Sequence, residues 1–231
     1  MFSGLIKGLL GALPSQCQVC RSWPSQTVCE ACVSRFAQLQ PRCRTCALPV
    51  PASVLQCGTC LKQPPPLDAC LAAVPYDYPW ADLIAQFKFQ EQPGLARALA
   101  LLVHSTPWVE PALDAADHVL PMPLSRQRLQ SRGFNQALVL ARHLAPDKTQ
   151  AQLLLRIKDT PPQRTLKRAE RLTSVQDAFA LEPLHASQIK GKKLVLVDDV
   201  MTSGASLFAA AGVLRAAGAA HITGLVVART D

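Results

Sequence analysis

Long hydrophobic runs are absent from this sequence. No apolar stretch approaches the roughly 20 residues that span a bilayer, so no transmembrane segment is expected. Residues 1–13 are mildly apolar, but their one charge, Lys7, lies inside the apolar stretch and no clear small-residue cleavage site follows. We therefore expect a short amphipathic helix that packs on the rest of the protein, not an export signal, and a cytoplasmic location.

Acidic residues are scarce relative to basic ones. The chain has 16 Asp and Glu against 24 Lys and Arg, a formal net charge of +8. Residues 120–171 contain 11 Lys and Arg and three Asp and Glu, so this segment accounts for the whole excess. A localised positive field favours an anionic partner, such as phosphate, pyrophosphate or nucleic acid, and a solvated basic face is the alternative.

Aromatic side chains make up 5% of the chain, and none lies between Phe134 and Phe179. Because the basic segment lacks rings on which bases could stack, any contact with DNA there is expected to be electrostatic. The five histidines fall in no recognisable motif and are interpreted as structural or solvated.

Cysteine, by contrast, is abundant. Eight of the nine cysteines form four Cys-x-x-Cys units: Cys17 and Cys20, Cys29 and Cys32, Cys43 and Cys46, and Cys57 and Cys60. A tight turn of this kind points two sulfurs at one centre, and two such turns complete a closed tetrahedral zinc site. Four units therefore predict two structural Zn²⁺ sites in a double zinc ribbon, whose metals supply the folding energy that a small core lacks.

Two other uses of these cysteines are less compatible with the pattern. A disulfide framework needs an oxidising compartment, and a thioredoxin-like redox motif fits one Cys-x-x-Cys unit better than four in tandem. Which units share a metal stays open, because both sequential and interleaved pairings are possible. The ninth cysteine, Cys70, lies in an apolar run and is predicted to be a buried strand residue.

The run Pro64-Pro65-Pro66 is stiff and extended, and it marks the predicted domain boundary. Residues 1–66 form the N-terminal helix and double zinc ribbon, and residues 67–231 form an α/β domain. Alternating strands and helices there predict a mainly parallel sheet with helices on both faces. The predicted strands are 71–76, 118–122, 153–157, 193–197 and 221–228, the predicted helices are 80–89, 95–103, 134–144 and 204–217, and 166–172 is a charged helix or loop.

The passage from Leu194 to Ser206 gives the most specific indication of a ligand-binding site. Four apolar residues predict a buried strand, followed by two carboxylates, a short hydroxyl- and glycine-rich loop and a helix. Backbone N–H groups of residues 202–206, at the positive end of that helix, can surround a phosphate. Asp198 and Asp199 can accept hydrogen bonds from a diol such as the ribose 2′- and 3′-hydroxyls. The predicted ligand-binding residues are Asp198, Asp199, Thr202, Ser203, Gly204, Ala205 and Ser206.

This passage resembles the phosphoribosyl-pyrophosphate (PRPP) fingerprint of type I phosphoribosyltransferases. Thr202 occupies the position where purine-salvage members of that superfamily commonly have an acid, so the resemblance is to orotate-type members and argues against purine salvage.

Over nearly the whole chain, the sequence resembles the ComF family of competence-associated proteins, especially its GntX branch. Ser203, Ser206 and Ser174 depart from that family's usual residues, the first two keeping a hydroxyl. The resemblance rests on the four Cys-x-x-Cys units; Phe87-Lys88-Phe89; Pro121-Met122-Pro123-Leu124 with Arg126 and Arg128; Arg132-Gly133-Phe134-Asn135-Gln136; Arg156, Thr160, Gln163 and Arg171, ending at Ala178-Phe179; and residues 198–206.

The resemblance implies a double zinc ribbon joined to a type I phosphoribosyltransferase-like domain that binds PRPP with Mg²⁺. Pyrophosphate would lie near Arg126, Arg128 and Arg132, with Lys88 as a further ligand or a structural ion pair. Residues 159–171 would form either a hood over the active site or a contact with a nucleic-acid backbone.

Two functions remain open from the sequence. The first is a phosphoribosyltransferase whose acceptor attacks ribose C1 and expels pyrophosphate, with a role in uptake or utilisation of external DNA. The second is a non-catalytic module that senses PRPP or a nucleotide and binds single-stranded DNA or a DNA-uptake or recombination protein. The resemblance supplies the link to DNA in both cases.

Overall fold

The computed structural model describes residues 15–89, 92, 94–158 and 177–231 of the 231-residue chain. The predictions for residues 1–13, 159–171 and 166–172 lie outside these ranges. The chain divides into two compact units, the first ending at Gln38 and the second comprising Leu39–Asp231. The predicted boundary after Pro66 falls inside the second unit, and the division at residue 66 stays a prediction.

In the first unit, the described residues form one helix, α1 (Glu30–Phe36), and a short antiparallel bridge between Ser15 and Ser25. Among these residues, the buried hydrophobic side chains are those of Cys17 and Cys32. The apolar core that the described residues 15–38 form is too small by itself to offset the conformational entropy of ordering them, so a bound metal is expected to organise this part of the unit.

The second unit is built on a four-stranded parallel sheet with the order β1-β6-β5-β2, and β3 and β4 form a separate antiparallel pair. The strands are β1 (Ala69–Pro75), β2 (His118–Pro121), β3 (Leu154–Arg156), β4 (Phe179–Leu181), β5 (Lys193–Met201) and β6 (His221–Arg229). This confirms the predicted mainly parallel α/β sheet.

The α-helices of the second unit are α2 (Gly58–Lys62), α3 (Trp80–Phe89), α4 (Leu95–His104), α5 (Val109–Ala115), α6 (Arg126–Arg132), α7 (Gln136–Leu144) and α8 (Ala205–Ala216). Short 3₁₀ turns occur at Pro146–Lys148 and Pro183–Gln188. Helices α4, α5, α7 and α8 all contact the sheet.

Both faces of the two central strands are covered. Leu194, Leu196 and Ile222 share one buried cluster with Leu207 and Leu214 of α8. The alternate residues Val195, Val197 and Val227 are buried as well. Burial of successive residues is typical of a parallel sheet between helices, and it explains why these strands are continuous apolar runs in the sequence.

Strand β5 is longer than the sequence pattern indicates. The apolar run ends at Val197, yet the strand continues to Met201, which pairs with Arg229 of β6. On its other side, β5 loses its partner after Val197, because β2 ends at Pro121. Asp198 and Asp199 therefore lie within a strand that is supported on one side by β6 and open on the other.

Candidate functional site

The eight cysteines of the Cys-x-x-Cys units form two groups of four in the structure. One group is Cys17, Cys20, Cys29 and Cys32, the other is Cys43, Cys46, Cys57 and Cys60, and within each group the sulfurs lie within 4.8 Å of one another. The pairing that the sequence left open is therefore sequential.

Three sulfur–sulfur distances show that these groups suit a metal better than disulfides. The Sγ atoms are 3.9 Å apart for Cys17 and Cys32, 3.7 Å for Cys20 and Cys29, and 3.7 Å for Cys46 and Cys57. A tetrahedron with Zn–S bonds of about 2.3 Å has edges of about 3.8 Å, whereas a disulfide bond is about 2.05 Å long. The donor set and its spacing fit two structural zinc sites.

The first cysteine of each group is poised to ionise. Burial opposes the loss of its proton, but hydrogen bonds from neighbouring backbone N–H groups lower the pKa of Cys17 to about 6 and that of Cys43 to about 7. The N–H of Cys29, for example, lies 3.4 Å from the Cys17 sulfur. Thiolates are the ligand form that zinc requires, so the backbone of each turn favours metal binding.

The two groups differ in burial. In the first, Cys20 is exposed and Cys29 is partly exposed, whereas all four cysteines of the second are buried. The second group shares a hydrophobic cluster with core residues such as Leu207 of α8. Cys70 is 3% exposed, lies on β1 and belongs to neither group, as the sequence indicated.

A cavity of about 680 Å³ opens at the carboxyl edge of the parallel sheet. Its lining includes Tyr76 directly after β1, Met122 directly after β2, and Asp198 and Asp199 in the C-terminal half of β5. Ligands of open α/β sheets bind in such crevices. The described residues that line it are Tyr76, Lys88, Phe89, Met122, Pro123, Leu124, Arg128, Ser131, Arg132, Asn135, Gln136, Ala137, Arg156, Asp198, Asp199, Val200, Thr202 and Ser206.

Two adjacent carboxylates dominate one wall of this cavity. Asp199 is 6% exposed, and its Oδ1 lies 2.8 Å from Nζ of Lys88, at the end of α3. Burial and the neighbouring charge of Asp199 raise the pKa of Asp198 to about 7, although Lys88 opposes the shift. One carboxylate is thus fixed in an ion pair, while the other sits at a pKa where a ligand can change its protonation.

The loop after β5 turns sharply at Gly204, the N-cap of α8. Gly204 has φ of +82°, and a Cβ there would lie 2.5 Å from Cε of Met201 and 2.6 Å from Cζ of Phe208. The backbone conformation therefore favours glycine, and any larger residue would also displace the ends of the Met201 and Phe208 side chains. Thr202 before the turn and Ser206 after it both line the cavity, so the N-terminus of α8 lies beside it.

A second set of lining residues comes from α6 and the start of α7. Asn135 caps α7: its Oδ1 accepts from the N–H of Leu138 at 3.3 Å, and its Nδ2 donates to the carbonyl of Met122 at 3.1 Å. Arg132 donates to Oε1 of Gln136 at 3.0 Å, and its guanidinium lies 5.1 Å from the centroid of the Phe89 ring. These contacts fix the position of Arg132, which forms a cationic wall of the cavity together with Arg128.

The structure brings together Asp198, Asp199, Thr202, Ser206, Lys88, Arg128 and Arg132 of the predicted site residues. Four other predicted site residues are not among the described residues that line the cavity: Arg126, Ser203, Gly204 and Ala205. Oγ of Ser203 instead accepts from the N–H of Ala205 at 3.3 Å. Tyr76, a cavity residue, was not singled out by the sequence. Its position directly after β1, at the same sheet edge, is the signal that could have found it.

Comparison with known proteins adds independent evidence. The model of the phosphoribosyl transferase domain matches residues 130–230. The chain is 30% identical to DNA utilization protein YhgH of Salmonella typhimurium over 227 residues, covering 94% of this chain and 98% of that protein. It is 31% identical to Competence protein F of Haemophilus influenzae, covering 84% and 87% of the two chains, and 26% identical to Competence protein ComFC of Bacillus subtilis, covering 90% and 86%.

The parallel sheet, the cavity at its carboxyl edge and the domain match define a phosphoribosyltransferase-type α/β protein that also carries two Cys₄ groups fit for zinc. The extent of the likeness to the competence and DNA utilization proteins places the chain more narrowly. It belongs to the ComF family of competence-associated proteins. Across the ranges that the structure describes, no helix has the length and apolar character needed to cross a membrane.

Proposed function

We propose that the cavity at the carboxyl edge binds PRPP with Mg²⁺ and that the protein uses this site as a phosphoribosyltransferase in the handling of external DNA. The observation that carries the proposal is the placement of the two carboxylates, the loop before α8 and two arginines around one cavity. The names of its relatives, a DNA utilization protein and competence proteins, support the link to DNA.

Each part of the ligand has a matching wall. The 5′-phosphate would lie against the loop of residues 202–206 at the N-terminus of α8, where helix N–H groups favour an anion. The ribose hydroxyls would donate to Asp198 and Asp199. The pyrophosphate would face Arg128 and Arg132, whose planar guanidinium groups suit phosphate oxygens.

The carboxylate oxygens and the phosphate oxygens are the hard ligands that Mg²⁺ prefers. Mg²⁺ would be held by the pyrophosphate and Asp198, and it supplies neutralisation of the leaving group's charge. The protein's own residues position ribose C1 and stabilise the departing pyrophosphate, so catalysis would rest on orientation and electrostatics.

Isothermal titration calorimetry with Mg·PRPP tests the binding proposal. We expect the native protein to bind and the Asp198→Asn/Asp199→Asn variant to lose binding. Asp117→Asn is the matched control, because Asp117 also pairs with a lysine, Lys192 at 3.2 Å, but lies beside the start of β2 at the opposite sheet edge. Absence of binding by the folded, zinc-loaded native protein at millimolar ligand would refute the proposal.

A non-catalytic sensing module is the second candidate. Among the described cavity residues, the titratable side chains are those of Tyr76, Lys88, three arginines and the two aspartates, and Lys88 and Asp199 pair with each other. This set offers no histidine or glutamate as a general base toward an acceptor. Assays of pyrophosphate release with candidate acceptors separate the two functions: release supports turnover, and tight binding without release supports sensing.

The proposed role in handling external DNA needs a test of its own, and binding to single-stranded DNA provides it. The basic side chains of residues 120–158 would neutralise phosphates, so affinity should fall steeply as salt rises. Arg142 is exposed near the end of α7 and does not line the cavity. Arg142→Gln should therefore weaken DNA binding while leaving PRPP binding unchanged, and Arg132→Gln should weaken PRPP binding.

A further inference from the structure

Arg229, the last residue of β6, carries a buried charge that the proposed reaction does not use. It is 3% exposed, and within the described ranges none of the observed ion pairs involves it. A buried guanidinium needs compensating hydrogen bonds, since the cost of removing its charge from water is high. Its partners therefore show what holds it in place.

Those partners are backbone carbonyls from two distant parts of the chain. Nε of Arg229 donates to the carbonyl of Cys46 at 3.0 Å. Nη1, which carries two hydrogens, lies within hydrogen-bond distance of three carbonyl oxygens: those of Met201 at 3.2 Å, Thr202 at 2.5 Å, and Thr230. The side chain of Arg229 thus joins a cysteine of the second Cys₄ group to the end of β5 and the start of the loop before α8.

The direction of these carbonyls matters for the ligand. Arg229 holds the carbonyl of Thr202 on its own side of the backbone, and it shares the carbonyl of Met201 with the N–H of Thr230, whose nitrogen lies 3.1 Å from that oxygen. If either peptide group rotated, a carbonyl oxygen would turn toward the cavity, where its partial negative charge would repel a phosphate. The bonds from Arg229 therefore stabilise the loop conformation that an anion requires.

The second Cys₄ group fixes the other end of the side chain. Cys43, Cys46, Cys57 and Cys60 belong to the same buried cluster as Met201 and Ala205. Four thiolates around one Zn²⁺ leave a net charge of −2, which also favours a buried cation nearby. Nothing comparable is described for the first group, whose cysteines belong to the other compact unit.

We propose that Arg229 is a positioning residue that couples the second Cys₄ metal site to the phosphate-binding loop, so that metal in this site sets the affinity for PRPP. The inference rests on the proposed function, because it concerns regulation of that same site. Loss of metal from the Cys43–Cys60 group frees the carbonyl of Cys46 and with it one end of Arg229. The loop of residues 202–206 then loses its fixed orientation.

The first test compares Arg229→Lys with Arg42→Lys. Arg42 is a matched control because it donates to the carbonyl of Ala47 in the same cysteine turn, and its other bond is to Gln40. A lysine at 229 cannot span both carbonyl sets, so Mg·PRPP affinity should fall about tenfold or more, while the control stays within about twofold. Equal affinities for Arg229→Lys and native protein, or an equal loss in Arg42→Lys, would overturn the coupling.

The second test replaces the equivalent ligand in each metal site. Cys29 and Cys57 both precede short helices, α1 and α2, and neither side chain caps its helix. Cys57→Ser should weaken Mg·PRPP binding, and Cys29→Ser should leave it unchanged although each variant loses one zinc by mass spectrometry. The inference is wrong if both variants keep native affinity or both lose it equally.

Hydrogen exchange of the ligand-free protein tests the inference whether or not the protein binds PRPP. Arg229→Lys should speed exchange at the amides of residues 202–206 while the interiors of β5 and α8 keep native protection. This readout needs no ligand. If native protein fails to bind PRPP, the proposed function fails, whereas unchanged exchange in Arg229→Lys refutes the role of Arg229.

Discussion

Asp198 shows at the scale of one residue how a site is prepared for a ligand. Burial of its carboxyl and the neighbouring charge of Asp199 raise the pKa of Asp198 from near 4 to about 7. Lys88 forms its 2.8 Å ion pair with Asp199, so it stabilises the negative charge of Asp198 less well. A ligand that donates hydrogen bonds or brings a cation would favour the ionised form of Asp198.

The affinity for Mg·PRPP should therefore rise with pH up to about 7 and then level off. Because the free protein holds a proton on Asp198 below that pH and the complex does not, each pH unit should change affinity by up to about tenfold. Calorimetry from pH 5.5 to 8.5 measures this. Asp198→Asn, which keeps Asp199 and should bind more weakly, is the control for titration of the ligand's own phosphates; identical pH profiles for both proteins would contradict the assignment.

Gly204 is a second position where one residue decides the local structure. Alanine would have to adopt φ of +82° and would overlap Met201 and Phe208. We expect Gly204→Ala to lower the free energy of unfolding by about 1–3 kcal/mol, as for other strained backbone positions, and to lower PRPP affinity. Urea denaturation measures the first effect. The control is Gly212→Ala in the middle of α8, where no atom lies within 4 Å of the new Cβ.

Some residues of the site could not be predicted because their roles depend on distant segments. The Asp pair and the loop were predicted since strand, carboxylates, glycine and helix follow one another in sequence. Arg229 was missed: its partners, Cys46 and Thr202, are 183 and 27 residues away. An arginine at the end of an apolar strand carries no local pattern that indicates such contacts.

At the scale of elements, helices α6 and α7 form the cationic wall, and their connection determines its geometry. Helix α6 has no buried residue, which explains why hydrophobic periodicity did not predict it. Its N-cap, Ser125, accepts from the N–H of Arg128 at 3.4 Å. Asn135 caps α7 and also ties it to the residue that follows β2.

The two roles of Asn135 can be separated by substitution. Asn135→Ala should lower the free energy of unfolding by about 1–2 kcal/mol, because it removes the cap of α7 and the bond to Met122. Asn135→Asp keeps the capping oxygen and loses the donor, so its loss should be smaller. Thermal and urea unfolding measure the difference, and equal stability of the alanine variant and the native protein would show that the cap contributes nothing.

Strand β5 illustrates what element prediction misses. The apolar residues 194–197 predicted its centre, and β1, β2 and β6 were likewise predicted at nearly their observed positions. The extension to Met201 depends on pairing with β6, which the composition of residues 198–201 does not reveal. The three-residue strand β4 and the seven-residue helix α5 are too short for periodicity to distinguish.

At the scale of the whole molecule, the two Cys₄ groups lie in units of different kinds. The sequence predicted four-thiolate sites but could not decide their pairing, because that depends on which turns meet in space. The structure pairs neighbouring turns. Among the described residues of the first unit, the buried apolar side chains are those of Cys17 and Cys32 of the first group, whereas the second group is part of the core of the larger unit.

We expect two zinc ions per chain, and we expect the first Cys₄ group to lose its zinc before the second. Cys20 is exposed, so a chelator or a thiol reagent should remove zinc from the first group at a rate well above that for the buried second group. Native mass spectrometry during chelation should show the one-zinc form with the second group occupied, as identified by peptide mapping of the modified cysteines. Simultaneous loss of both metals, or modification of Cys43–Cys60 first, would contradict this order.

The central claim is that PRPP lies in the cavity at the carboxyl edge of the sheet, and a crystal structure with Mg²⁺ and PRPP tests it most directly. The account predicts the 5′-phosphate against the amides of residues 202–206, the ribose hydroxyls on Asp198 and Asp199, and the pyrophosphate facing Arg128 and Arg132. A ligand bound elsewhere, or one bound with its pyrophosphate on the loop and its 5′-phosphate on the arginines, would contradict the account.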